Sequence, residues 1–186
     1  MSYKTVMDET GQKFEKALSH LQQQLRGIRT GRASSALVDN LKVDYYGTPT
    51  PISQLGSISV PEPRQIVIKP FDASILKELG KTLAKSDLGV SPQDDGKVVR
   101  INLPPLSGEQ RQKYSAKVKE MCEEARVALR NTRRDLNKQS DAMQKSGELT
   151  EDDNKKLHTE IQSLLKDYEG KIDETMKLKV AEIEEV

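Results

Sequence analysis

Between Met7 and Ile28 the chain places Met7, Gly11, Phe14, Leu18, Leu21, Leu25 and Ile28 at alternating four- and three-residue steps. That spacing keeps all seven positions on one stripe of an α-helix and makes a coiled-coil seam. The same steps return twice. They run through Val118, Cys122, Ala125, Leu129, Thr132 and Leu136, and again through Leu157, Ile161, Leu164/Leu165, Tyr168, Ile172, Met176, Val180 and Ile183. A lone amphipathic helix is stabilised mainly by packing its apolar face, so three seams of similar length predict a three-helix bundle. With about 40 helical residues over 107–146, the bundle would be on the order of 60 Å long at 1.5 Å per residue.

The helix ends carry their own signals. The first seam stops at Thr30-Gly31. Ser107 and Gln110 have the spacing of a capping box, Gly147 suits a helix stop, and Thr150 with Asp153 reopens a helix.

From Leu41 to Leu103 the apolar period falls to two, in Leu41/Val43/Tyr45, Ile66/Ile68 and Val99/Ile101/Leu103, and these predict strands. Prolines 49, 51, 61, 63, 70 and 92 punctuate the region, and Asp94-Asp95-Gly96 suits a hairpin turn into the last strand. One short helix fits Ala73 to Lys85, where Ile75, Leu76, Leu79 and Leu83 share a face. The expected fold class is therefore α+β: a long three-helix bundle (1–30 and 106–186) with a small β-rich α/β domain (31–105) inserted after the first helix. Only Thr30-Gly31 and Pro104-Pro105 join the two, so these four residues are the expected hinge.

Composition narrows the function. Charged residues make up 32% and aromatics 4%, a balance that favours long solvated helices. The net charge of +1 hides a division, because residues 107–146 hold ten Lys/Arg against six Asp/Glu, and 147–186 hold six against twelve. Cys122, the single cysteine, has no disulfide partner and sits on the apolar seam, which points to a core role in a reducing compartment. No apolar leader and no run of ~20 apolar residues is present, so a cytoplasmic protein without a membrane span is expected.

Catalytic chemistry finds little support. Gly80-Lys81-Thr82 ends like a phosphate-binding loop, but Ile75 stands where that loop needs glycine, and the residues lie inside a helix. His20 and His158 lie on different helices without metal-ligand spacing. The expectation is no enzyme, no metal and no cofactor. Nucleic-acid binding is better supported, since Arg126, Arg130 and Arg133 stand at i, i+4 and i+7 with Arg134 beside them, on one face of the second helix. Two readings are open: a flank that pairs with acids of the third helix, or an RNA contact built from guanidinium forks that bind phosphate. A second cluster, Arg26, Arg29 and Arg32, lies at the end of the first helix, where Gly27 and Gly31 permit close backbone approach. Tyr46 is the one exposed candidate for base stacking.

Together, RTGRAS at 29–34, YYGTPTP at 45–51, SDLG at 86–89, INLPPL at 101–106 and RNTRRD at 130–135 resemble, in order and spacing, the ribosome recycling factor family over essentially the whole chain. The resemblance implies a tRNA-like L whose long arm is the bundle. It implies binding to the large ribosomal subunit and its ribosomal RNA through Arg130 and Arg133, with Arg134 adjacent, and a basic element at Arg29 and Arg32; Arg126 joins the RNA-binding candidates from the helix stripe alone. It also implies that elongation factor G, the GTPase partner, acts with the protein to split the post-termination ribosome, and that the factor is a monomer. The second helix opens away from the family pattern, with Gly108 where an acid is common and Gln110 and Gln112 where basic residues are common.

Overall fold

The computed structural model describes residues 3–185. Helix α1 spans Tyr3–Arg26, α4 spans Gly108–Lys145 and α5 spans Glu151–Glu184. Between α1 and α4 lie strands β1 (Lys42–Tyr45), β2 (Thr48–Pro51), β3 (Gly56–Glu62), β4 (Gln65–Pro70), β5 (Pro92–Asp94) and β6 (Val99–Asn102), with helices α2 (Ile52–Leu55) and α3 (Leu76–Lys85). Contacts group the chain into two compact units, Met1–Leu25 with Ser115–Val180, and Arg26–Tyr114 with Ala181–Val186.

In the first unit the three long helices form a bundle. Its seam buries Phe14, Leu18 and Leu21 from α1, Val118, Cys122, Leu129 and Leu136 from α4, and Leu157, Ile161, Leu165 and Ile172 from α5. Toward the start of α1 the buried positions are Val6 and Thr10 rather than the expected Met7 and Gly11. A straight helix turns 3.6 residues, so a strict four-three stripe drifts across its surface. The Thr10 hydroxyl tolerates burial because it donates to the Val6 carbonyl at 2.7 Å. Burial pushes the Cys122 thiol above its usual pKa, as a seam position should.

The caps form as the spacing predicts. Gln110 N–H donates to Ser107 Oγ at 3.2 Å while the Ser107 N–H donates to Gln110 Oε1 at 3.1 Å. At the turn between α4 and α5, Gly147 takes φ +81° and the Glu148 N–H donates to the Met143 carbonyl at 2.9 Å. Thr150 and Asp153 then exchange bonds, with Asp153 N–H to Thr150 Oγ1 at 3.1 Å and Thr150 N–H to Asp153 Oδ2 at 3.3 Å.

In the second unit β1 and β2 pair alone, while the other four strands form an antiparallel sheet in the order β3-β4-β6-β5. Ile66, Ile68, Val99 and Ile101 bury one face of that sheet against Ile75, Leu76, Leu79 and Leu83. The Asp95 side chain closes the β5–β6 turn by accepting from the Lys97 and Val98 amides at 3.1 and 2.9 Å. Two strands stand where prolines suggested breaks. Pro49 and Pro51 lie within β2, and Pro61 lies in β3 at a register shift between Ser59 and Glu62. Both strands are at edges, where a missing N–H costs no ladder bond.

Arg29 ties this unit together from inside. It is 2% exposed, and its guanidinium donates to the Leu88 carbonyl at 2.8 Å and also to the Pro104 carbonyl. Burial draws its pKa down, but a guanidinium stays protonated. Nearby, a Cβ at Gly31 would lie 2.9 Å from the Glu185 carbonyl oxygen, so this position needs glycine.

Arg29→Ala leaves two carbonyls without their charged donor and is expected to cost about 1.5 to 3 kcal/mol for each bond to a charged group. Urea denaturation measures this, and native-like stability would assign the contacts no weight. At Gly56 a Cβ would meet the Lys69 carbonyl oxygen at 2.6 Å and Pro70 Cα at 2.8 Å, both backbone. Gly56→Ala should therefore separate β3 from β4 and destabilise the fold by about 1 to 3 kcal/mol, the usual range for overpacking.

Candidate nucleic-acid interface

The seam of α4 is apolar, so the charged side chains lie along its edges, and one edge meets α5. The two helices run antiparallel along a polar ladder. Arg126 reaches Asp173, Arg130 reaches Glu169, Arg133 reaches Gln162, and Asp141 lies 3.1 Å from His158. Asn154 closes the ladder near the turn, donating to Asp141 Oδ1 at 2.9 Å and to Gln144 Oε1 at 2.7 Å, and accepting from the buried Ser140 hydroxyl.

The arginine stripe is not uniform along this ladder. Arg126 is largely buried and ion-paired to Asp173 and to Glu123, the latter at 2.9 Å. Burial opposes its charge, yet the two carboxylates outweigh it and hold the guanidinium above its ordinary pKa. Arg130 is exposed but bonds Glu169 at 2.9 Å and Glu123 at 3.2 Å. Hydrogen bonding from Arg126, with the charge of Arg130, holds the Glu123 carboxyl below its usual range. These two arginines take the flank arrangement, pairing with acids of the third helix.

Arg133 and Arg134 differ. Arg133 Nη1 donates to the neutral Gln162 Oε1 at 2.7 Å, its Nε is shielded with no partner, and Arg134 is exposed. Among the described residues neither has an ion pair with a carboxylate. Their charge is therefore the part of the stripe that is available to an outside anion.

The second basic cluster is also divided. Arg32 is exposed and lines a groove of about 280 Å³ with Gly31, Pro63, Arg64, Glu182 and Glu185. Arg29 departs from the expectation of a surface contact. It is enclosed, and its donors face backbone carbonyls of its own unit. The expected hinge residues Thr30, Gly31, Pro104 and Pro105 all fall within the second unit, and the Arg29–Pro104 bond brings the two segments together. Tyr46 is 81% exposed, at φ 49°, with its ring edge-on to Tyr45. Gln162, the partner of Arg133, escaped sequence reading. Its signal was the four-residue spacing His158, Gln162, Lys166 on an otherwise acidic helix.

Among the described residues no group of three or more His, Cys, Asp or Glu could hold a metal ion, and no helix is long and apolar enough to cross a membrane.

The ribosome recycling factor family model matches residues 21–183. A ribosome-recycling factor from Acetivibrio thermocellus is 49% identical over 175 residues, covering 94% of this chain and 96% of its own. The solution structure of a ribosome recycling factor superposes with a TM-score of 0.75 at 35% identity, covering 100% of this chain and 99% of its own. A second structure, of T. thermophilus ribosome recycling factor and E. coli elongation factor G bound to the E. coli post-termination complex, gives a TM-score of 0.67 at 37% identity, over 98% and 99%. With the mixed helical and sheet architecture and near full-length identity in agreement, the chain belongs to the ribosome recycling factor family.

Proposed function

We propose that this chain recycles ribosomes in the cytoplasm. It binds the large subunit of the post-termination ribosome through ribosomal RNA and, with elongation factor G and GTP, promotes release from mRNA and tRNA and separation into subunits. The bond-breaking chemistry is the partner's GTP hydrolysis, and this chain contributes binding and geometry without a catalytic group. The observation that carries the reading is the carboxylate-free half of the α4 stripe, Arg133 and Arg134, in a chain that matches recycling factors along its length. A guanidinium without an internal counter-ion can bind phosphate without first breaking an ion pair. Arg126 and Arg130, paired with carboxylates, serve the bundle, and Arg32 is a separate exposed cation of the second unit. The segments at Thr30-Gly31 and Pro104-Pro105 are the proposed hinge, through which the small domain couples to elongation factor G.

Sedimentation with large subunits over a salt series tests the RNA contact. Affinity should fall linearly on a log–log plot, by roughly 0.7 to 0.9 unit of slope per phosphate contact. A salt-insensitive interaction would identify a coiled-coil adaptor that binds proteins instead.

Single substitutions separate the roles of the arginines. Arg133→Ala is expected to weaken binding by about 1.5 to 3 kcal/mol, the loss of one charge-assisted bond, with helicity unchanged. Arg126→Ala should leave the salt slope as it is and lower stability by about 1 kcal/mol, because Asp173 remains hydrated. A splitting assay with elongation factor G and GTP should follow the order of the binding losses. Full affinity in Arg133→Ala would remove that residue from the interface.

A further inference from the structure

Opposite the arginines of α4, the chemistry of α5 changes midway. Asp173 and Glu169 face Arg126 and Arg130 and bond them, whereas the residues beyond are Gln162 and His158. His158, Gln162 and Lys166 follow at four-residue steps, and with Thr159 and Ser163 they line a shallow groove of about 520 Å³. No carboxylate and no apolar side chain lines it. On α4 the positions three and four residues from Arg133 and Arg134 hold Leu129, Arg130, Asn131, Leu136, Asn137 and Lys138, again without an acid. Arg133, which bonds the groove residue Gln162 through Nη1, has its Nε shielded and without a partner. Asp141 on the ladder lies 3.1 Å from His158 and accepts a hydrogen bond from Asn154.

We propose that the α5 groove and the Arg133–Arg134 edge of α4 form one RNA-backbone site, with Lys166 and the Ser163 hydroxyl contacting phosphate. The proposal rests on the reading that the chain binds ribosomal RNA, and it extends that contact to a second helix. Gln162 is a positioning residue, because its amide oxygen orients the Arg133 fork without neutralising it. Hydroxyl, amide and ammonium groups without apolar anchors suit a phosphodiester backbone, which such donors position on, rather than a protein surface, whose anchors are aromatic or aliphatic.

The test uses the full chain and isolated large subunits in the same salt series. Lys166→Ala should lower the log–log slope by roughly 0.9, and Lys166→Glu should weaken binding about tenfold or more. Gln162→Glu should trap Arg133 in an ion pair and weaken binding as Arg133→Ala does. The double substitution should then add little, since both changes act on one contact. Lys16→Glu on α1 makes the same charge change away from the groove and should bind as the native chain does, and circular dichroism should be alike for all. If Lys166→Ala, Lys166→Glu and Gln162→Glu bind normally while Arg133→Ala is weakened, the α5 site is overturned and the RNA reading stands. If Arg133→Ala is also normal, the RNA reading itself falls.

Discussion

The register of α4 against α5 decides which charges meet, and it is set where the helices are closed to water. Ser140 and Asn154 bond each other inside the bundle, and Asn154 continues to Asp141 and Gln144. A buried amide loses its bonds if one helix slides by a turn, whereas leucine seams accept several offsets at small cost. The glycine turn at Gly147 and the reciprocal cap at Thr150 and Asp153 hold the same register from the connecting segment. Every cross-helix pair further along the ladder inherits that alignment.

This alignment turns an acidic helix into a selective neutraliser. The excess of acids after residue 147 suggests a continuous negative counterpart to the arginines. Among the described acidic residues of α5 only Glu169 and Asp173 reach them, while Glu160 lies near Tyr3, on the side toward α1. Positive charge is thus paired at Arg126 and Arg130 and left without a carboxylate at Arg133 and Arg134. Salt bridges at the paired end are partly exposed and contribute little stability singly, so their main effect is to shape the field.

Much of the fold was legible because its signals are local. Seam spacing gave three helices, Ser107 with Gln110 and Thr150 with Asp153 gave two helix starts, and alternation gave β4 and β6. What was not legible depends on partners distant in sequence. Proline in β2 and β3 reads as a break unless one knows that those strands lie at edges. The switch from Met7 and Gly11 to Val6 and Thr10 depends on where two other helices press on α1. Among the arginines, sequence gave one stripe, and only the cross-helix pairing distinguishes Arg126 from Arg133. Arg29 reads as one of a basic surface cluster with Arg26 and Arg32 because carbonyl acceptors leave no trace in the side-chain code.

Leu88 and Pro104 receive Arg29 through their carbonyl oxygens, which every amino acid carries. Substitution at 88 or 104 can keep the acceptor as long as the chain path survives, whereas no other side chain offers two rigidly spaced donors of that reach at 29. An arginine held in this way would remain fixed across relatives without any position that covaries with it. Methods that find contacts from paired substitutions would pass over the tie, although it joins three segments of the small unit.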